Sequence, residues 1–315
     1  MGCFAAPMSD HPLSSLPSRG KDPFSASVLN NWIQHAAAQT EIAPKRVARI
    51  VANGLVIAAL QRVKHDDGDP VFAIKGGASL EVRLGLRARM SGDLDAVFRA
   101  EFPKFLDVLD QALRGGIGTF EFERGEAVEI PVKGRRVKPL RVPIRVMIKG
   151  KPALRVDLEV GPSEAGSGDR VEIIGYPSLE HFTTSTPIAV AVMAVEYQVA
   201  QKLHACTDPD SEDSPNLRVH DSVDLILLRE AFFGSGSTVT LRAACEAVFA
   251  ARAEEAAAMG DVEPRQWPPT LKEHAHWRGP FTRLAGECAL DADLAAGVVS
   301  INAWIAEITS VGASP

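Results

Sequence analysis

The sequence predicts an α/β half followed by an α-helical half, on three observations. A short apolar run at Val71–Ile74 leads into Gly76-Gly77, a short helix, and a second apolar strand around Asp93–Phe98. Between 118 and 174 the apolar residues alternate with polar ones, the period of half-buried strands. Beyond about 185 the chain turns alanine-rich with helical spacing.

Residues 1–24 carry Pro7, Pro12, Pro17 and Pro23 among serines and read as a loose, flexible tail. Helices are expected over 26–38 and 44–63. The second has Pro44 in its first turn and apolar residues at Val47, Ile50, Val51, Leu55 and Ala58. Val71–Ile74 suits a buried strand. Glycines at 76 and 77 let the backbone turn sharply and approach a ligand closely. Ser79 is then expected to open a helix running to about Leu86, whose N-terminal N–H groups and dipole suit phosphate oxygens. The chain returns as Asp93-Leu94-Asp95-Ala96-Val97-Phe98. Strand side chains alternate faces, so Asp93 and Asp95 point the same way while Leu94 turns to the core. Paired carboxylates on one face form a hard oxygen site suited to Mg²⁺. Either half alone is compatible with a glycine turn or two solvated acids; their fixed order points to phosphate chemistry.

Pro103–Leu113 follows as a helix ending at Gly115-Gly116. Strands are expected at 119–123, 140–148 and 154–160. In the last, Arg155, Asp157 and Glu159 share the polar face. Asp157 is the candidate third carboxylate, placed by a sheet neighbour beside Asp93 and Asp95, where it could ligate metal or act as a base on an acceptor hydroxyl; Glu159 is the fallback. Helices are expected over 186–206, 216–233, 239–258, 280–289 and 291–309, with a boundary near 180. That divides the chain into the tail, a core over 25–180 and a helical domain over 181–315.

Within the helical half, Lys202 is a candidate point charge on nucleotide phosphates. His204 lies about 200° round the same helix and serves another direction. Asp221 and Asp224 are i, i+3 and share a face; one of them is a candidate to fix Lys202 or the nucleotide. The net charge of −6 excludes a global basic field. Lys133, Arg135, Arg136, Lys138, Arg141, Arg145, Lys149 and Lys151 nevertheless form one basic run without an intervening acid, a candidate track for a phosphate backbone. It lacks interleaved aromatics for base stacking. The scattered Cys3, Cys206, Cys245 and Cys288 lack a CxxC pair, which favours a reducing compartment. No apolar run reaches membrane-spanning length and no signal-peptide core is evident, so the expected location is cytoplasmic.

Lys75-Gly-Gly-Ala-Ser79, Arg89-Met-Ser91-Gly-Asp93-Leu-Asp95, the strand Asp157, Lys202 in its helix, and Arg218-x-x-Asp221-x-x-Asp224 together resemble the AbiEii-type (MenT-like) nucleotidyltransferase toxins of type IV toxin–antitoxin systems. The resemblance spans about residues 25–308. It implies a polymerase-beta-like nucleotidyltransferase core with a mixed sheet, plus a C-terminal α-helical lobe. It implies that Lys75, Gly76, Gly77, Ser79, Ser91 and Lys202 bind the nucleotide, that Asp93, Asp95 and Asp157 hold Mg²⁺, and that Asp221 or Asp224 is the essential acid of the last motif. Ala78 departs from a frequent threonine, leaving Ser79 to supply the hydroxyl, and His220 replaces a frequent lysine. The implied reaction moves NMP from an NTP to RNA, in known members the tRNA 3′ end, and blocks translation. The implied partner is a cognate antitoxin. Alternatives are transfer to a protein or small molecule, or a non-catalytic binding protein on the same fold.

Overall fold

One mixed sheet organises the computed structural model, which describes residues 10–132, 135–185, 189–210, 214–234, 236–260 and 263–312. In chain order its strands are β1 (Phe72–Ile74), β2 (Leu94–Phe98), β3 (Phe120–Arg124), β4 (Val128–Glu129), β5 (Leu140–Ile148), β6 (Lys151–Pro162), β7 (Val171–Gly175) and β8 (Ala189–Met193). Their spatial order is β3-β5-β6-β2-β1-β8-β7, with β4 also paired to β5. β2 runs parallel to β6 and β1 parallel to β8; the other pairs are antiparallel. The helices are α1 (Ala26–Thr40), α2 (Pro44–Leu60), α3 (Gly76–Leu84), α4 (Phe105–Leu113), α5 (Val195–Cys206), α6 (Val219–Leu228), α7 (Val239–Ala258), α8 (Arg278–Glu287) and α9 (Leu294–Ser310).

The sheet separates two apolar clusters. Leu94, Ala96 and Phe98 of β2 and Val156, Leu158 and Val160 of β6 join α1, α2 and α4 in the first. Val97 of β2 and Met193 of β8 join α5–α9 in the second. Period-2 alternation therefore turns Asp95 toward the helical side of the sheet.

Several expectations need correction. Residues 10–24 are not a loose tail: Leu13 is buried, Arg19 stacks over Trp32, and Asp22 accepts bonds from Thr119 and Thr184 N–H. The rest of the tail, residues 1–9, lies outside the described residues. The expected helix at 186–206 is strand β8 followed by α5, with 186–188 outside the described residues. A short apolar run such as Ala189–Met193 fits a buried strand or a buried helix equally by pattern, and sheet pairing decides it. Helix α3 starts at Gly76 rather than Ser79, because Gly76 itself turns the chain at φ +60°.

Candidate active site

The carboxylate pair stands at the start of β2. Lys75 N–H donates to Asp95 O at 2.9 Å, tying the end of β1 to β2 just where α3 begins. Gly76 packs directly on the Asp95 carboxylate, and a Cβ there would lie 2.7 Å from Asp95 Cγ. The glycine is thus required both by its left-handed φ and by this close approach. Burial pushes the Asp95 carboxyl up to about 6; Lys75 pulls it down and Glu159 pushes it up. Asp93 is also raised, by burial and then by Glu159. Burial lowers Lys75, against the opposing pull of Asp95.

Strand β6 brings both of its polar-face acids to the pair. β2 and β6 pair in parallel with Asp95 opposite Glu159, so Glu159 stands beside Asp95. Asp157 lies toward the pre-strand Asp93 and accepts two bonds from Arg155, at 3.0 and 2.8 Å. Glu159 in turn pairs with Arg141. Among the described residues no group of three or more His, Cys, Asp or Glu side chains is placed to hold a metal ion.

Ser79 and Ser91, expected to bind nucleotide, face inward. Ser79 is fully buried and its hydroxyl accepts from Gln198 Nε2 of α5. The early start of α3 rotates it off the expected N-terminal position. Ser91 is buried too; its Oγ donates to Asp93 O at 2.8 Å, which shapes the chain just before the carboxylates.

Lys202 meets both aspartates of the last motif. Its Nζ donates to Asp221 Oδ1 at 2.8 Å and Asp224 Oδ2 at 2.6 Å. Arg89 forks onto Asp224 at 3.0 and 2.9 Å, and Arg218 Nε donates to Asp221 Oδ2 at 2.7 Å. Burial lowers the Lys202 ammonium, but Asp221 and Asp224 outweigh it and the ammonium is held above its ordinary range. Burial raises Asp221, but Lys202 and Arg218 hold it well below the usual carboxylate range. Both aspartates are thus engaged by cations, and the Asp95 carboxyl also feels the Lys202 charge. His204 turns away, against Arg265 and Phe249.

The basic run is acid-free only in sequence. Arg135 pairs with Glu164 and Glu255, Lys138 with Glu129, Arg141 with Glu159 and Arg145 with Glu123. Lys149 lies over Phe24. Lys133 lies outside the described residues. Acids from elsewhere in the chain thus pair with four of its eight cations, Arg135, Lys138, Arg141 and Arg145.

Sequence reasoning assigned no role to Arg89, although its spacing before Ser91 and Asp93 was visible. It also overlooked Glu164, which joins Arg135 to Arg252 of α7.

A mixed sheet with a strand, a glycine pair, a helix and an aspartate pair, backed by a lysine on a neighbouring helix, is an enzyme frame for nucleotidyl transfer. The family model for the AbiEii nucleotidyl transferase toxins of type IV toxin–antitoxin systems matches residues 58–304, and the chain belongs to that family. It is a nucleotidyltransferase toxin. A similar solved structure is MenT4, a nucleotidyltransferase toxin from Mycobacterium tuberculosis H37Rv, with 18% identity, coverage of 93% of this chain and 100% of that chain, and a TM-score of 0.47. No curated protein matches the chain. No helix among the described residues is long and apolar enough to cross a membrane.

Proposed function

We propose that this enzyme transfers NMP from an NTP to an RNA acceptor, the 3′ end of tRNA, and so blocks translation until a cognate antitoxin restrains it. The observation that carries the reading is the Asp93–Asp95 pair beside the N-terminus of α3, with Lys75 and Lys202 contributing positive charge around Asp95. Asp93 and Asp95 suit Mg²⁺. Gly76 leaves the Asp95 carboxylate room that a Cβ would fill, and burial penalises its charged form despite Lys75 and Lys202, which a bound cation would relieve. Mg²⁺ commonly takes one or two protein carboxylates together with substrate phosphates and water, so a third protein ligand is not required. When bound, the metal would neutralise charge on the phosphates in the transition state.

The chain's own residues do the rest. The Gly76 and Gly77 N–H groups at the start of α3 receive phosphate oxygens. Lys75 and Lys202 add charge where negative charge develops on the leaving pyrophosphate. The acceptor 3′-oxygen bonds to the α-phosphorus as the bond to the pyrophosphate oxygen breaks. The hydroxyl proton passes to a neighbouring carboxylate, Glu159 opposite Asp95 or Asp157 beside Asp93.

Incubation with each labelled NTP, Mg²⁺ and either total tRNA or cell protein tests this reading. Label on the tRNA 3′ end, abolished by Asp93→Ala or Asp95→Ala in folded protein, is the expected result. Label on protein alone would replace the acceptor, and absence of Mg²⁺–NTP binding would replace catalysis with a binding role.

A further inference from the structure

The turn that delivers the carboxylates is held from outside the family-matched region. Residues 85–93 connect α3 to β2. Arg46 of α2 precedes the matched residues 58–304. Its guanidinium donates to three carbonyls of that connection: Gly85 O at 3.2 Å, Leu86 O at 3.3 Å and Ala88 O at 2.5 Å. Its Nη2 also lies 3.7 Å from Glu81 Oε1 on α3. Glu81 Oε2 accepts the Ser91 N–H at 3.3 Å, and Ser91 Oγ donates to Asp93 O at 2.8 Å. A continuous chain of polar contacts thus runs from α2 through Glu81 and Ser91 to the backbone of Asp93.

This arrangement is costly for a merely structural one. Arg46 Nε, Glu81 Oε1 and Asn53 Oδ1 are buried without a hydrogen-bond partner among the described residues. They line, with Ile50, Val82 and Tyr176, a mixed polar and apolar cavity of about 20 Å³ next to α2 and α3, large enough for one water molecule. Burying an ion pair is often neutral or worse for stability, whereas a planar guanidinium binding several carbonyls defines one backbone path.

We propose that Arg46, with Glu81, is a positioning residue that sets the Asp93–Asp95 pair for metal and nucleotide; this rests on reading that pair as the metal site. Neither side chain touches the reacting atoms. Their loss misplaces the carboxylates without removing them, as loss of outer partners of metal ligands commonly does.

The test uses the full chain with Arg46→Met, Arg46→Lys and Glu81→Ala, and Asp93→Ala as reference. The readouts are thermal melting, kcat and KM for the NTP, and Mn²⁺ binding by paramagnetic resonance. Arg46→Met is expected to lower kcat and Mn²⁺ affinity roughly 10–100-fold with a smaller change in KM. Arg46→Lys should recover part of this, since an ammonium cannot match the planar fork. Glu81→Ala, which leaves the Ser91 N–H without its acceptor, should follow Arg46→Met. If Arg46→Met fails to fold, Arg46→Lys and Glu81→Ala carry the test. Folded variants with lowered melting points but wild-type kcat and Mn²⁺ affinity would overturn the inference. Transfer retained by Asp93→Ala would instead overturn the metal-site reading beneath it.

Discussion

Replacing Gly76 by alanine perturbs the site with a single methyl group. Gly76 has φ +60°, a conformation that costs an L-residue roughly 1–2 kcal/mol. The new Cβ would lie 2.7 Å from Asp95 Cγ and 2.9 Å from Asp95 Cβ, and closer still to Oδ2. Carbon atoms pack at about 3.5–4.0 Å, so the carboxylate must retreat by about 1 Å. A displacement of that size at a reacting centre costs on the order of a hundredfold in rate. Gly92, which immediately precedes Asp93, has nothing within 4 Å of an added Cβ and provides the control. Labelled-NTP transfer by the two purified variants, with thermal melts alongside, is the assay. Gly76→Ala should lose about a hundredfold in transfer, while Gly92→Ala stays near wild type with a stability change within about 0.5 kcal/mol. A folded Gly76→Ala enzyme with wild-type transfer would show that the Asp95 carboxylate does not hold a reacting group.

Further predictions concern the groups around this centre. Lys202→Ala should weaken NTP binding and also destabilise the fold by about 3–5 kcal/mol, because Asp221 and Asp224 are buried against it; urea unfolding and NTP titration measure both, and unchanged values would remove Lys202 from the site. Glu159→Gln should reduce transfer more than Asp157→Asn, since Glu159 stands opposite Asp95; the reverse order in kcat would assign the third acid to Asp157. Burial raises the Glu164 carboxyl, but Arg252 and Arg135 outweigh it and hold it well below its ordinary range. Its stabilisation is therefore present above the unfolded value of about 4.3 and is lost as pH falls toward the depressed folded value. Glu164→Gln should cost about 3 kcal/mol at neutral pH, with the gap to wild type narrowing on acidification in urea titrations; a constant gap would contradict the pairing.

What could be read from the sequence was what local rules determine. Asp93 and Asp95 share a face because alternation is a property of one strand. The pairing of Asp221 with Asp224 was visible for the same reason, through helical spacing. Register between strands was not visible. β2 and β6 are parallel and far apart in sequence, so no turn announces that Glu159 rather than Asp157 meets Asp95. The start of α3 was misread because the positive φ at Gly76 begins the helix early, and Ser79 lies on the face that meets Gln198. The basic run looked free because its acids lie elsewhere in the chain: Glu123 on β3, Glu129 on β4 and Glu159 on β6 become its neighbours only once the sheet forms. The partners of Lys202 on α6 and the reach of Arg46 to residues 85–88 are likewise tertiary facts.

The most direct test of the account is transfer of label from each of the four NTPs to total tRNA by the wild-type enzyme and by the Asp93→Ala/Asp95→Ala double variant. The account predicts labelled tRNA 3′ ends with wild type and none with a double variant that melts as a folded protein. Labelled tRNA from the folded double variant would contradict the role given to the aspartate pair.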